Sequence, residues 1–113
     1  MLPVNRTLRA RNDFDRVKKT AKPHRSKSFT LLVNNRKDSD PTKFGIIVSN
    51  NVDKRAVHRN RIKRAMREVF RRAMNYLPNG FDLLLVAGEG MTRMTTEEMM
   101  KEAREFLDNT PLT

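Results

Sequence analysis

The basic side chains of residues 54–72 have the types and spacing that bind a polyanion. The segment KRAVHRNRIKRAMREVFRR carries nine Lys or Arg side chains and a single acid, Glu68. Guanidinium groups bind phosphate oxygens in pairs and stack on bases. A helix face that is merely solvated usually mixes charges so that i,i+4 pairs attract, whereas Lys63 with Arg67 and Arg67 with Arg71 repel. Only Glu68, within reach of Arg64 and Arg72, offsets this repulsion. The pattern favours nucleic-acid binding over a solvated face.

An amphipathic helix is the element that would position these groups. Apolar side chains recur at steps of three and four residues, which keeps them on one side of a helix: Ile62, Ala65, Met66, Val69, Phe70, Ala73 and Leu77. The opposite side carries the basic stripe: Asn60, Arg64, Arg67 and Arg71, with Arg61 and Arg72 on one shoulder and Lys63 on the other. We therefore expect the apolar side to pack on a sheet.

Composition also indicates an anionic partner, and it excludes several classes of protein. The net charge is +11, and residues 1–72 hold 21 basic and 6 acidic side chains while residues 73–113 hold 3 and 7. One part of the molecule is therefore expected to face an anionic partner. The absence of cysteine excludes disulfides, thiolate zinc sites and cysteine nucleophiles. No apolar run is typical of a signal peptide or a membrane span, so we expect no membrane association and a cytoplasmic location.

The remaining elements predict one domain, residues 1–113, of the α+β class. Asn12 is a candidate cap for a short first helix that ends before Pro23. Residues 28–35 and 43–50 are rich in β-formers and predict an antiparallel hairpin. Residues 81–88 form a continuous apolar run, which is typical of a strand covered on both faces.

The last helix is predicted from its capping residues. Thr95 and Glu98 have the spacing of a capping box. The helix that follows has one apolar face, made of Met99, Met100, Ala103, Phe106 and Leu107. The predicted order is α-β-β-(long basic α)-β-α, an α-β sandwich with helices on a sheet.

No catalytic or metal site is predicted. His24 and His58 lack the spaced partner or acidic companion of a metal site. Asp38 and Asp40 lie in a turn with Ser39 and Pro41, where Asp commonly bonds its own backbone. The sequence has no Gly-rich phosphate loop and no nucleophile-base pair. It therefore offers no independent nuclease site.

The segment RNRIKRAMREVFR, residues 59–71, resembles the RNR signature of the bacterial ribonuclease P proteins. The pattern FGIIVSN, RNRIKR and FDLLLVA also keeps the spacing of that family, and the resemblance extends over nearly the whole chain. The residues that stand where the signature places its polar side chains are Arg59, Asn60, Arg61, Lys63, Arg64, Arg67, Glu68 and Arg71.

The resemblance implies an RNA-binding protein subunit of ribonuclease P, an endoribonuclease that removes the 5′ leader from precursor tRNA. In the family the RNA subunit performs the hydrolysis with Mg²⁺, and the protein binds that catalytic RNA and the leader. The resemblance also implies a left-handed crossover between two parallel strands, against the general rule. No obligate protein partner is evident. From the residues alone, a ribosomal or assembly protein remains open, as does a DNA-binding regulator.

A second surface implied by the resemblance is a cleft between the first helix and the sheet that binds leader nucleotides. Its candidates in this chain are Phe14, Lys18, Phe29 and Leu32. For Phe14, which lies beside Val17, a place in the core remains open. The chain also departs from the family pattern: Lys18 and Leu32 stand where aromatics are usual, Gly88 and Glu89 where a basic residue is usual, and Asn50-Asn51 where a Lys pair is usual. We therefore expect leader contact that is weaker or differently arranged, with Lys18, Lys19 and Lys22 contacting phosphates.

Overall fold

The structure, a computed structural model, describes residues 6–8, 11–110 and 112. Its elements in chain order are α1 (Arg11–Thr20), β1 (Lys22–Arg25), β2 (Phe29–Asn35), β3 (Lys43–Ile47), α2 (Ala56–Ala73), β4 (Phe81–Ala87), a 3-10 turn (Glu89–Arg93) and α3 (Thr96–Asn109). The α+β class and the long central helix are confirmed. The cap predicted at Asn12 is wrong, because α1 already includes Arg11. In the described part of the chain, no helix is both long and apolar enough to span a membrane.

The four strands form one sheet in the order β1-β2-β4-β3. The hairpin predicted from β2 and β3 is therefore wrong. Strand β4 lies between them, antiparallel to β2 and parallel to β3. The physical reason is the composition of β4, which is apolar on both faces and so occupies an interior position. Helix α2 is the crossover between the parallel neighbours β3 and β4; its left hand stays a prediction from the resemblance.

Strand β1 was not predicted from the sequence. It is four residues long and contains Pro23, which lies opposite Leu32 on β2. Proline cannot donate a ladder hydrogen bond, so it is tolerated on an edge strand. Because β1 is short and contains a proline, the sequence pattern did not indicate a strand. It extends the sheet at the edge beyond β2.

The side chains of the sheet alternate between two packed faces. One face carries Phe29, Leu31, Val33, Phe44, Leu83 and Leu85, which pack with α2 and α3. The ring of Phe44 stacks on that of Phe70 with centroids 4.8 Å apart. Six of the seven apolar residues predicted for α2 are buried, and Leu77 is half-buried beyond the end of the helix. The opposite face carries Leu84, which packs with Val17 of α1 and Leu8.

The predicted start of α3 is confirmed. The Glu98 backbone N donates to the Thr95 hydroxyl at 3.1 Å, and the Thr95 backbone N donates to the Glu98 carboxylate at 2.9 Å. These hydrogen bonds hold the pKa of Glu98 below its ordinary value. Of the predicted apolar face, three side chains are buried and two are partly buried: Met99, Ala103 and Leu107, then Met100 and Phe106.

A buried ion pair closes the end of the sheet where β4 begins. The Asp82 carboxylate is fully buried and accepts from Arg36 Nη1 at 2.5 Å and from Asn34 Nδ2 at 3.2 Å. Arg36 also donates to the Asp38 carboxylate. Asp38 in turn accepts from the Asp40 backbone N at 3.1 Å. The prediction that Asp38 bonds its own loop is confirmed.

Candidate nucleic-acid interface

The basic stripe of α2 holds four polar side chains without a partner in residues 6–8, 11–110 and 112. Asn60, Arg64 and Arg67 are exposed and Lys63 is half-buried. Among the residues that the structure describes, none of these four side chains makes a hydrogen bond or an ion pair. The opposite side of the helix is buried against the sheet. Helix α2 therefore holds a row of free donors in a fixed position, because its other side cannot rotate away from the core.

Two arginines at the start of the stripe are tied to neighbouring backbone. Arg59 Nη1 donates to the Asp53 carbonyl at 2.9 Å. Arg61 reaches across to the start of α3, where its Nη1 lies 3.4 Å from the Thr96 hydroxyl, and to the preceding 3-10 turn, where its Nη2 lies 3.5 Å from the Thr92 carbonyl. These contacts use some donors of each guanidinium and leave others available. They orient the RNR segment rather than neutralise it.

Glu68 pairs with the end of the stripe, and the prediction that it reaches Arg64 is wrong. Its carboxylate accepts from Arg71 Nη2 and Nε at 2.5 and 2.9 Å, and from Arg72 Nε at 3.1 Å. The Arg71 hydrogen bond is the main cause that lowers the pKa of Glu68 to about 2. The pairs lie three and four residues towards the C-terminus, so Arg64 keeps its full charge for a partner.

His58 is paired, contrary to its predicted isolation. Its Nδ1 lies 2.9 Å from the Asp53 carboxylate, which also accepts from the Arg55 backbone N at 2.9 Å. That backbone hydrogen bond is the main cause of a lowered Asp53 pKa. The first turn of α2 has no acid of its own, and Asp53 places a negative charge at the positive end of the helix. The contact of His58 with Asp53 is therefore part of the structure at the start of α2. His24 is half-buried on β1.

Phe14 lies on the sheet face that α1 covers, as the cleft prediction requires. A Cβ built on Gly45 would lie 2.8 Å from Phe14 Cε1 and 2.9 Å from Leu84 Cδ1. The missing side chain of Gly45 thus lets the Phe14 ring approach β3. Phe14 remains half-buried, and half-buried Leu32 belongs to the same apolar cluster. The structure brings these two candidates to one surface.

Phe29, the other aromatic candidate, is on the wrong face for this cleft. It is 4% exposed and packs edge-to-face on Phe106 of α3, with ring centroids 5.2 Å apart. Residues separated by an odd number along a strand point to opposite faces, so Phe29 and Leu32 cannot share one. The prediction that Phe29 neighbours Phe14 is wrong, and this alternation is readable from the sequence.

The sheet face that α1 covers is also lined by residues that the sequence analysis did not identify. Ile47 of β3 and Val86 of β4 are half-buried beside Leu32. Arg25 of β1 is exposed and lies opposite Thr30 of β2 in the strand register. Lys18, Lys19 and Lys22 are exposed near the edge of this surface. The alternating positions of β3 and β4 could have identified Ile47 and Val86, whereas Arg25 required recognition of β1.

Gly88 stands where a basic residue is usual in the family, and the structure gives a reason for this difference. A Cβ at Gly88 would lie 2.7 Å from the Ser28 carbonyl oxygen, to which the Gly88 backbone N donates at 2.8 Å. A basic side chain at this position would displace the backbone of the β1–β2 turn. Glu89 is exposed, as are Asn50 and Asn51. These positions therefore add no positive charge near the ends of β3 and β4.

The described residues contain no group of three or more His, Cys, Asp or Glu side chains placed to hold a metal ion. The Asp38 carboxylate is occupied by its own loop, and its hydrogen bond from Arg36 is the main cause that holds its pKa low. What the arrangement can do is bind an extended anion along α2.

Comparisons with known proteins agree with this geometry. The model of the ribonuclease P family matches residues 2–110. A ribonuclease P protein component from Pseudanabaena sp. is 30% identical over 95% of this chain and 92% of its own length. One from Dictyoglomus thermophilum is 39% identical over 78% of this chain and 72% of its own length.

Solved structures show the same fold. The ribonuclease P protein of Staphylococcus aureus superposes with a TM-score of 0.86 at 27% identity, over 95% of this chain and 96% of that one. The protein of Thermotoga maritima gives 0.79 at 27% identity, over 93% and 97%. The family match covers nearly the whole chain, including the RNR segment and the sheet that supports it. The chain therefore belongs to the ribonuclease P protein family.

Proposed function

We propose that this chain is the protein component of ribonuclease P, which docks on the catalytic RNA through the basic stripe of α2 and assists removal of the 5′ leader from precursor tRNA. The observation that carries the proposal is a set of side chains that have no partner within the described part of the chain, on a helix whose other side is buried: Asn60, Lys63, Arg64 and Arg67. Such a face costs stability through like-charge repulsion unless a polyanion neutralises it.

In this proposal the RNA carries the chemistry and holds the Mg²⁺ ions. The protein contributes cations at fixed positions, which neutralise phosphates that would otherwise need metal ions or other counterions. Arg59 and Arg61, oriented by backbone carbonyls, place guanidinium forks at the start of the stripe. Arg64 and Arg67 continue it along the helix. The protein is therefore expected to lower the Mg²⁺ concentration at which the RNA folds and cleaves.

Cleavage of a precursor tRNA by a bacterial ribonuclease P RNA at limiting Mg²⁺ tests this proposal. The wild-type protein should restore cleavage at the mature 5′ end, and an Arg59→Ala/Arg61→Ala/Arg64→Ala variant should not. A Lys27→Ala/Lys43→Ala/Lys101→Ala variant is the matched control, since it removes the same number of charges from exposed positions off the stripe. Tight RNA binding by the wild type without any effect on cleavage, repeated with a cognate RNA, would favour a structural RNA-binding role instead.

The α1 face of the sheet is the proposed leader-binding surface. Phe14 and Leu32 supply a small apolar area, and Lys18, Lys19 and Lys22 supply exposed charge at its edge. Because the half-buried Phe14 packs against the apolar cluster that contains Leu84, stacking on leader bases should be limited. We expect the affinity of the holoenzyme for precursor tRNA to rise only weakly as the leader is lengthened. A strong gain of affinity with leader length would contradict this part of the proposal.

A further inference from the structure

A groove between α2 and α3 lies beside the basic stripe, on the side of the sheet away from α1. It consists of two depressions that share Met100 of α3. Its lining from α2 is Arg61, Arg64, Ala65, Glu68, Val69 and Arg72, and from α3 it is Thr96, Met100 and Arg104. Tyr76, just beyond the end of α2, closes one end. The groove thus begins at the RNR segment and ends at an aromatic ring.

Helical spacing explains why these residues face each other. Residues 61, 65, 68 and 72 of α2 lie on one ridge, since they are separated by three or four residues. Residues 96, 100, 104 and 108 of α3 form a second ridge at steps of four. The floor is apolar, because it includes the buried side chains of Ala65 and Val69. Met100 is half-buried and flexible, so it can adapt to a flat ligand.

The rim of the groove is positively charged. Arg64 and Arg104 are exposed, and their side chains have no partner among the residues that the structure describes. Arg72 uses its Nε for Glu68, and neither of its Nη atoms has a partner in the described part of the chain. Of the acids beside the groove, Glu68 is neutralised by Arg71 and Arg72, and Asp108 accepts the hydrogen bond of the Tyr76 hydroxyl. The groove therefore offers free guanidinium donors above an apolar floor.

Tyr76 is an exposed ring whose orientation is restrained by a hydrogen bond to α3. It is 56% exposed, and its hydroxyl donates to the Asp108 carboxylate at 3.0 Å. Partial burial and this hydrogen bond raise the pKa of Tyr76, so it remains a donor. Arg72 and Arg104 lie beside it. A fixed aromatic ring between arginines stacks well on a nucleobase, because each base presents a π-face and its phosphate can reach the guanidinium groups.

We propose that this groove binds a single-stranded segment of RNA, with phosphates on Arg64, Arg72 and Arg104 and an unpaired base stacked on Tyr76. The inference rests on the proposed RNA-binding function and extends the docking surface of α2 across to α3. A duplex fits less well, since its bases are already stacked and cannot reach the ring. The groove is separate from the proposed leader surface, which lies on the opposite face of the sheet.

The ring itself provides the test, because Tyr76 is the only tyrosine of the chain. Protein labelled with 3-fluorotyrosine should give a single ¹⁹F resonance, free of RNA background. Saturation with ribonuclease P RNA, or with a short oligouridylate, should shift that resonance, and an RNA duplex of equal phosphate number should shift it much less. If RNA is bound and the resonance does not move, the groove is not a binding site while the α2 stripe remains one. If the wild type binds no ribonuclease P RNA, the proposed function fails as well.

Two matched pairs of variants test the stacking on Tyr76 and the charge of Arg104. Each pair includes a control substitution at the same or a neighbouring position. Tyr76→Ala should weaken oligouridylate binding about tenfold or more, as expected for the loss of one stacked base, while Tyr76→Phe keeps most of the affinity. Arg104→Gln should weaken binding more than Lys101→Gln, which removes an equal charge from α3 outside the groove. Equal effects within both pairs would overturn the proposal. Thermal unfolding of each variant checks that the fold is retained.

Discussion

Arg36 and Arg67 have the same side chain in opposite surroundings. The Arg36 side chain is 12% exposed, and its nitrogens donate to the carboxylates of Asp38 and Asp82 and to the carbonyls of Phe81, Asp40 and Pro41. Arg67 is exposed on α2 and has no partner among the described residues. A guanidinium whose donors are all used inside the protein stabilises the fold. One whose donors are free, on a rigid helix, is available for an external anion.

The largest expected effect lies in the Arg36 network. Asp82→Ala removes the fully buried counter-ion of Arg36, and breaking a buried ion pair typically costs about 3–5 kcal/mol. We expect a loss of that size in the free energy of unfolding, measured by urea denaturation. Asp38→Ala, which removes the more exposed partner of the same arginine, is the control and should cost clearly less. A loss below about 1 kcal/mol for Asp82→Ala would show that the buried pair is not what stabilises this end of the sheet.

A smaller effect on stability is expected for Glu68. Its carboxylate is paired, as the donors of Arg36 are, but it lies on the helix that carries the basic stripe. Its folded pKa of about 2 is below the ordinary value of 4.5, so its pairing stabilises the fold above about pH 4.5 and is lost as the pH falls towards 2. Glu68→Gln should therefore be less stable than the wild type at neutral pH, and the difference should shrink over that acidic range. The measurement is the pH dependence of unfolding for both proteins. A difference that stays constant with pH would contradict the ion pairing.

The smallest effect on stability is expected in the stripe. Arg64→Ala and Arg67→Ala remove exposed side chains that contact no partner among the residues described, and each should leave the free energy of unfolding within about 0.5 kcal/mol of the wild type. Urea denaturation at low salt, where repulsion is strongest, checks this. A loss of several kcal/mol would mean that these arginines support the fold, and the contrast with Arg36 would fail.

Local patterns in the sequence predicted the elements that carry the candidate site. The 3.6-residue period of residues 62–73 identified both the buried and the basic side of α2, because the two sides differ in chemistry at every turn. The capping box at Thr95 and the doubly buried strand β4 were also readable. In each case the signal lies within a few neighbouring residues.

Long-range pairing was not predictable in the same way. The hairpin of β2 and β3 failed because their composition does not show that β4 inserts between them. Which arginines pair with Glu68 depended on side-chain conformations that spacing alone leaves open. The groove at Tyr76 was missed because it needs two helices that are far apart in sequence. Phe29 is different, since strand alternation already excluded it from the face of Leu32.

The salt dependence of binding to ribonuclease P RNA tests the central claim most directly. Affinity is measured over a range of salt concentrations for the wild type, for Arg64→Ala/Arg67→Ala, and for Lys27→Ala/Lys101→Ala as the control of equal charge. The account predicts that the log–log slope of the stripe variant falls by about two, one for each lost phosphate contact, while the control keeps nearly the wild-type slope. An unchanged slope for the stripe variant, or an equal fall for both variants, would contradict the assignment of α2 as the RNA-docking surface.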